Sequence, residues 1–343
     1  MRFLANIFRE GRFANKEEEG WEFEGETLIF LINGVTHLKA AVIDVGTNTV
    51  KLTVGEKDKN GRIRVLADSA NVSRLGENLD TEGMLQPQSQ QRTIAAIANF
   101  IKTANDLRAS NIRIVATSAM RDARNSQEFV SLVKSQLGID LEILSEEDEG
   151  RLSYSSVASD PELGAYKGTL AVVDIGGGST EITFGEDSGI ILSNSVRIGA
   201  VRLTERILKS DPPDPDEIGK ARALASESIR EAAGARQASR IVQVGGSAVN
   251  VARIFKHVPP SMTSEVHGTI LTPIEMRRML DFLSGMSLEQ KKTIVGLEPD
   301  RADIILAGAI ILDSVMSVLN ASELLISTRG LRHGVLYEML GSS

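Results

Sequence analysis

One sequence pattern occurs twice in this chain and constrains its fold more than any other feature. The segment AVIDVGTNTVKLTVG at 41–55 aligns without a gap on the segment AVVDIGGGSTEITFG at 171–185. Each is an apolar run that ends in an aspartate, Asp44 or Asp174, passes through a glycine-containing turn and returns as alternating apolar and polar residues. Such a pattern predicts a β-hairpin. The repeat therefore predicts a protein built from two related halves.

Strands and helices alternate after each predicted hairpin, which is typical of an α/β fold. Strands are predicted at 40–44, 49–56, 62–67, 112–117, 169–174, 180–184, 190–198, 240–244 and 323–327. Helices are predicted at 88–107, 126–138, 200–209, 215–235, 247–255, 273–284 and 301–319, with two more that start near 145 and 330. Ser126 is the predicted N-cap of the helix that stops at Gly138. The chain has 343 residues, more than one hydrophobic core usually holds, so two domains are expected.

The composition narrows the classes of ligand. The net charge of −8 and an aromatic content of 4% argue against a nucleic-acid binder or an anionic-membrane binder, because such proteins need a basic surface. A polyanionic ligand must therefore bind at a local basic site. The sequence has no cysteine, which excludes disulfides, thiolate metal sites and cysteine nucleophiles. A reducing cytoplasm is the expected location.

Residues 1–39 are expected to be an appended segment outside the fold. Their longest apolar run, TLIFLINGV at 27–35, is shorter than the roughly 18 residues of a membrane span. It also follows acidic residues, whereas a signal peptide has basic residues before its apolar region. A peripheral amphipathic anchor formed by RFLANIFREGRF is the alternative.

The two hairpins predict an anion site. A glycine turn brings main-chain N–H groups close to a ligand, and phosphate is the expected anion. Either hairpin alone is as well explained by an ordinary tight turn, and no P-loop or Rossmann motif is present. Asp174 and Glu181 flank the second turn, and two such oxygen ligands with water and phosphate are the pattern expected for Mg²⁺. Lys51 occupies in the first hairpin the place of Glu181, so it would offer a cation to the same phosphate.

Two further segments carry candidate site residues. SEEDEGRLSY at 145–154 begins with four acidic residues, of which the first three are expected to form a helix start favoured by the helix dipole. Glu149 is the candidate for catalysis. In TSAMRDARNS at 117–126, Arg121 is expected to bind phosphate in a forked manner, the alternative being a solvated face. The four histidines show no metal-ligand spacing, and the absence of G-x-S-x-G argues against a serine hydrolase.

Eight segments in order resemble one family, that of the exopolyphosphatases and guanosine pentaphosphate phosphohydrolases within the actin, sugar-kinase and heat-shock-chaperone ATPase superfamily. The segments are AVIDVGTNTVKL, ATSAMRDARN, SEEDEGRLSY, VVDIGGGSTEI, VRIGAVRLTE, VQVGGSAVNVARI, GLEPDRADIILAGAIIL and STRGLRHGVL. The resemblance covers about 40–340. It implies two actin-like (ribonuclease H-like) domains with a cleft between them, one at 40–146 with 329–343 and the other at 147–328.

The resemblance also implies residue roles. Glu149 takes the position of the catalytic base, and Asp174 and Glu181 take metal and catalytic positions beside Asp44. The implied phosphate and substrate ligands are Gly46, Thr47, Asn48, Lys51, Arg121, Gly176, Gly177, Gly178, Ser179, Gly245, Gly246 and Ser247. His333 departs from the family pattern, which usually has an acidic residue there. The helical C-terminal part of longer relatives is absent from the sequence.

The implied function is hydrolysis of a terminal phosphate with Mg²⁺ or Mn²⁺. Inorganic polyphosphate of short chain length is the expected substrate, and guanosine pentaphosphate is the alternative. A phosphotransferase and a regulator that binds polyphosphate or nucleotide without turnover are the rival classes. Neither nucleic acid nor membrane is an expected partner. The oligomeric state stays open, a homodimer being one alternative.

Overall fold

The computed structural model describes residues 38–59, 63–163, 166–187 and 189–341. The expected appended segment therefore lies outside the described residues except for its last two positions. The strands are β1 Lys39–Val45, β2 Thr49–Lys57, β3 Ile63–Val72, β4 Asn111–Ala116, β5 Leu141–Ile143, β6 Leu170–Ile175, β7 Thr180–Glu186, β8 Gly189–Val196, β9 Arg240–Val244, β10 Thr269–Leu271 and β11 Leu324–Ile326.

Helices follow most of these strands. The α-helices are α1 Leu79–Glu82, α2 Pro87–Asp106, α3 Ser118–Asp122, α4 Ser126–Leu137, α5 Glu146–Ala158, α6 Ala200–Arg206, α7 Pro215–Ala233, α8 Gly246–Lys256, α9 Pro273–Ser284, α10 Leu288–Lys291, α11 Ile305–Val318 and α12 Leu331–Leu340. Short 3₁₀ helices lie at Pro161–Leu163, Pro260–Val266 and Pro299–Arg301. Within the described ranges, no helix combines the length and apolar composition needed to cross a bilayer.

The strands form two mixed sheets. The first has the order β3-β2-β1-β4-β5 and the second has the order β10-β11-β9-β6-β7-β8. In each sheet an antiparallel hairpin, β1–β2 or β6–β7, is joined on one side by a parallel strand, β4 or β9. The described residues form one compact unit, and the division into 40–146 with 329–343 and 147–328 stays a prediction.

The predicted repeat is confirmed at the level of strand register. Asp44 pairs with Lys51 across β1 and β2, and Asp174 pairs with Glu181 across β6 and β7. The turns also close alike: the Gly46 N–H donates to the Thr49 carbonyl at 3.1 Å, and the Gly176 N–H donates to the Ser179 carbonyl at 3.0 Å. The next strand pair in each sheet, β2–β3 or β7–β8, shifts its register at the last glycine of the repeat, Gly55 or Gly185.

Two main hydrophobic cores hold the hairpins in place. One packs β1, β2 and β4 against α2 and α4, and the other packs the second sheet against α7, α8 and α11. Phe129 and Phe184 are fully buried in these cores. Each buried side chain of this size contributes about 1.5–3 kcal/mol relative to exposure. Each hairpin therefore packs on the hydrophobic core of its own sheet, and this packing fixes the turn between its two strands.

The structure differs from the sequence prediction in its short elements and in one boundary. Three α-helices and two strands were not predicted: α1, α3, α10, β5 and β10. They have five residues or fewer, too few to show a hydrophobic period. β3 extends to Val72, beyond the predicted end at 67, because its exposed outer part lacks the apolar alternation that the prediction used. The N-cap of α4 is Asn125 rather than Ser126, and the Asn125 side chain bonds the backbone of Leu85 instead of capping the helix.

Two helical glycines provide a matched test of this packing. A Cβ at Gly334 in α12 would lie 2.1 Å from the Leu152 carbonyl oxygen of α5, whereas a Cβ at Gly219 in α7 would meet no atom within 4 Å. We expect Gly334→Ala to destabilise the protein by at least about 1–3 kcal/mol through overpacking. Gly219→Ala is expected to stabilise by about 0.5–1 kcal/mol. Denaturant unfolding measures both, and equal effects would contradict the α5–α12 contact.

Candidate active site

A cleft of about 680 Å³ lies where the two hairpin turns meet the first turns of α8 and α12. Most of the residues predicted for the site line this cleft. They are Asp44, Gly46, Thr47, Asn48, Lys51, Glu149, Asp174, Gly176, Gly177, Gly178, Ser179, Gly245, Gly246 and Ser247. The structure therefore brings together residues from both copies of the repeat. Arg121 and Glu181 lie behind the cleft wall rather than on it.

The two glycine-containing turns contact each other directly. A Cβ on Gly177 would lie 3.0 Å from the Thr47 Cβ, and one on Gly178 would lie 2.5 Å from the Ser118 Oγ. Only glycine permits this approach without displacing a neighbour. Within the described residues, the N–H groups of Gly177, Gly178, Thr47 and Asn48 donate no hydrogen bond. Four main-chain donors are thus available to an anion at the junction of the turns.

Asp174 and Glu181 form a carboxylate pair on one face of the second hairpin. Residues directly opposite in an antiparallel pair project to the same side of the sheet. The Ser153 hydroxyl donates to Asp174 Oδ2 at 2.8 Å, and the Ser195 hydroxyl donates to Glu181 Oε1 at 2.8 Å. Glu181 is 1% exposed, and its other oxygen, Oε2, has no hydrogen-bond partner among the described residues.

Glu149 is separated from its acidic neighbours by the geometry of α5. The Ser145 side chain caps the helix by accepting from the Asp148 N–H. Asp148 stays partly exposed beside Arg151, whereas Glu149 is 6% exposed and reaches the cleft. The predicted distinction between a solvated helix start and an inward carboxylate therefore matches the burial of these side chains.

Arg121 holds the buried carboxylates together. Its Nη1 lies 2.8 Å from Glu149 Oε2, an ion pair without hydrogen-bond geometry, and the same nitrogen donates to the Leu144 carbonyl at 3.0 Å. Its Nη2 lies 3.9 Å from Glu181 Oε1 and has no hydrogen-bond partner. The guanidinium group thus neutralises part of the carboxylate charge from behind the wall.

Burial and mutual repulsion raise the pKa values of Glu149 and Glu181. Burial, followed by the charge of Glu181, raises the pKa of Glu149 well above its ordinary value, and Arg121 opposes the shift. Burial and the charge of Asp174 raise the pKa of Glu181 to about 7. Burial also raises the pKa of Asp44, against the effect of Lys51 at 3.8 Å. The site thus favours any ligand that brings positive charge or a proton.

The donor set fits a hard divalent cation. No cluster of three or more metal-ligating side chains is found within the described ranges. Mg²⁺, however, is usually held by one or two carboxylates, with water and substrate phosphates completing its shell. Asp174 and Glu181 supply carboxylate oxygens, including the unpartnered Oε2 of Glu181. They are the residues that could hold such an ion.

Several cations of the cleft were not predicted individually. Arg301 donates to the Thr49 hydroxyl at 2.8 Å, Arg329 donates to Asp160 at 2.7 Å, and Arg332 donates to Asp68 at 2.8 Å. Each lies in a recognised segment, GLEPDRADIIL or STRGLRHGVL. In the sequence, each of these arginines stands beside glycine or acidic residues at the start of an apolar helix. That pattern does not show whether the arginine lines a cleft or lies on the outer surface.

The pKa shift of Glu181 makes a prediction about stability. A carboxyl whose native pKa is raised stabilises the fold below its ordinary pKa, and this contribution is lost as the pH rises through about 7. In the absence of metal, we expect the unfolding free energy of Glu181→Gln, relative to that of the parent protein, to increase by about 1–3 kcal/mol as the pH rises from 5 to 8. Denaturant unfolding in chelator measures this, with exposed Glu146→Gln as control. A stability difference that does not change with pH would contradict the shift.

Comparison with known proteins identifies the family. A model of the Ppx/GppA phosphatase family matches residues 53–343. Exopolyphosphatase 2 of Mycobacterium tuberculosis is 30% identical over 318 residues, which cover 88% of this chain and 99% of that protein. Exopolyphosphatase 1 of the same organism is 30% identical over 313 residues, 89% of each chain.

A solved structure agrees with the fold. The crystal structure of the Aquifex aeolicus member of the Ppx/GppA protein family matches with a TM-score of 0.76 at 30% identity, covering 90% of this chain and 99% of that one. The predicted α/β class, with paired actin-like sheets, is thereby confirmed. From the family match and the extent of these similarities, the chain belongs to the Ppx/GppA phosphatase family.

Proposed function

We propose that this chain is an exopolyphosphatase that hydrolyses the terminal phosphate of inorganic polyphosphate. The observation that carries the proposal is the position of Glu149, a buried carboxylate on the cleft wall beside two turns with free N–H donors. Relatives named as exopolyphosphatases, of which this chain covers most of the length, support the same substrate. We place the activity in the cytoplasm, as the cysteine-free sequence indicates.

Glu149 acts as the general base. Its carboxylate takes a proton from a water molecule, whose oxygen forms a bond to the terminal phosphorus. The bridging P–O bond breaks, and the shortened polyphosphate leaves with the bonding electrons. The raised pKa of Glu149 makes it a stronger base, and general-base assistance contributes about 10²–10⁴ in rate.

The two turns and Lys51 bind and orient the phosphates. Free N–H groups of Gly177, Gly178, Thr47 and Asn48 donate to oxygens of the terminal phosphate, where charge develops during the reaction. Lys51 adds a cation from the first hairpin. Arg121 acts from behind the wall, where its guanidinium group lies against Glu149 and Glu181 and keeps Glu149 in place.

Asp174 and Glu181 are proposed to hold Mg²⁺ or Mn²⁺. When bound, the ion supplies positive charge that stabilises the phosphate oxygens. Ser153 and Ser195 orient the two carboxylates through their hydroxyl groups. Arg121 alone does not balance the charge of Glu149, Asp174 and Glu181, which is the physical reason for a cation here.

Short chains are the proposed substrates because the wall offers few free cations. Four cations of the wall, Lys51, Arg301, Arg329 and Arg332, each already have an acidic neighbour within 4 Å.

Hydrolysis of guanosine pentaphosphate is the second candidate function. It is favoured by the polar lining of the cleft beyond the turns, which includes Ser261, Thr263 and Ser264.

The central test is Glu149→Gln, which keeps the size of the side chain and removes the base. We expect kcat on tripolyphosphate to fall at least about 10²-fold while KM stays within a few fold. Amide substitution of Glu146, Glu147 or Asp148 should change kcat little. Phosphate release from guanosine pentaphosphate is measured in parallel, and we expect a lower kcat/KM. If Asp148 or Glu147 is the intolerant position instead, the base is assigned to the wrong residue.

Metal dependence is tested with Asp174→Asn. Activity of the parent protein should vanish in excess chelator and return with Mg²⁺ or Mn²⁺. The substitution should raise the Mg²⁺ concentration for half-maximal activity and lower kcat together, because the carboxylate charge binds the ion. Direct titration of Mg²⁺ by calorimetry gives a readout besides activity. Undiminished turnover in chelator would remove the ion from the mechanism.

A further inference from the structure

The first turn of α12 forms part of the cleft wall directly beside the carboxylate cluster. A Cβ on Gly330, the residue before this helix, would lie 3.8 Å from Asp174 Oδ2. The helix has ten residues, Leu331–Leu340. Within the described part of the chain, the N–H groups of Leu331 and Arg332 donate no main-chain hydrogen bond. Two backbone donors and the positive end of a helix dipole therefore lie near the reaction centre.

A second observation on the same turn concerns His333. Its side chain is 3% exposed and lies on the cleft wall. Its Nδ1 accepts from the Gly330 N–H at 3.4 Å, so the neutral ring carries its proton on Nε2. Within the described residues Nε2 makes no hydrogen bond, and the Asp68 carboxylate lies 3.7 Å away. This donor on the cleft wall thus makes no hydrogen bond within the described residues, although it has an acidic neighbour in Asp68.

The charges around His333 favour an anion. Both oxygens of Asp68 accept from Arg332 Nη2 at 2.8 Å, so this carboxylate is already neutralised. Burial and then the positive charges of Arg332 and Arg329 lower the pKa of His333. The imidazole is therefore a neutral donor with two arginines nearby.

We propose that the first turn of α12 and the Nε2–H of His333 form a second phosphate subsite, which binds the phosphate unit next to the one that is hydrolysed. The inference rests on the proposed function, because it takes the terminal phosphate to bind at the glycine turns. It assigns to His333 a role in binding rather than in proton transfer. A subsite beside Asp174 would hold the leaving group in line with the attacking water.

Binding to a catalytically inactive protein tests the subsite. In the Glu149→Gln background, calorimetry with orthophosphate and with pyrophosphate compares one phosphate unit with two. We expect His333→Glu to weaken pyrophosphate binding at least about tenfold, with a much smaller effect on orthophosphate. His333→Gln keeps a neutral N–H donor and should stay within about threefold of the parent. His257→Glu adds the same charge at an exposed position outside the cleft and is the matched control.

Histidine-selective NMR needs no substitution at His333, so its result does not depend on whether a His333 variant folds. The chain has four histidines, so the imidazole signals are few. Pyrophosphate should shift the His333 signal and leave the His257 signal in place. An unmoved His333 signal at saturating pyrophosphate would overturn the subsite, as would equal pyrophosphate affinities of His333→Glu and His257→Glu.

The two proposals can fail separately. If the parent protein releases phosphate from tripolyphosphate but His333 is silent in both measurements, the subsite is wrong and the exopolyphosphatase assignment stands. If pyrophosphate shifts His333 but no phosphate is released from tripolyphosphate with Mg²⁺, the subsite stands and the assignment falls.

Discussion

Three carboxylates gathered at the wall of one cleft, two of them buried and the third, Asp174, partly exposed, are the constraint on which the rest of this structure depends. Glu149, Asp174 and Glu181 come from a helix start and from both strands of one hairpin. Burial and mutual repulsion raise the pKa values of Glu149 and Glu181. Such a cluster is costly in a folded protein unless it is neutralised. Arg121 supplies one positive charge, and the proposed cation and substrate contacts account for the rest.

The repeated hairpin explains how the fold holds this cluster next to a phosphate site. In both copies the strand register places an ionisable pair on the face that leads to the turn, Asp44 with Lys51 and Asp174 with Glu181. One copy therefore presents a cation and the other a second carboxylate. The close contact of the turns at Gly177 and Thr47 leaves backbone donors, rather than side chains, nearest to the ligand. The same supersecondary unit thus serves two different electrostatic purposes.

The long periodic elements and the repeat could be predicted from the sequence, because alternation and helical spacing are local signals. The inward position of Glu149 was also predictable, since it follows from the family segment SEEDEGRLSY. By contrast, Ser153 and Ser195 contact their carboxylates from the neighbouring elements α5 and β8, and these contacts depend on packing and on strand register, so no local pattern marks them. Arg121 was predicted as a substrate ligand, and the structure places its Nη1 against Glu149, which depends on the packing of α3 beside α5. Tertiary contacts of this kind have no signature in a single sequence.

The origin of the oxygen atom in the released phosphate tests the central claim most directly. In water enriched in ¹⁸O, a base-activated water attack on the terminal phosphorus puts one solvent oxygen into each orthophosphate released from tripolyphosphate in a single turnover. The account predicts this label, with no ATP formed when ADP is present. Orthophosphate without solvent label, or transfer of the terminal phosphate to ADP, would contradict hydrolysis by water at Glu149.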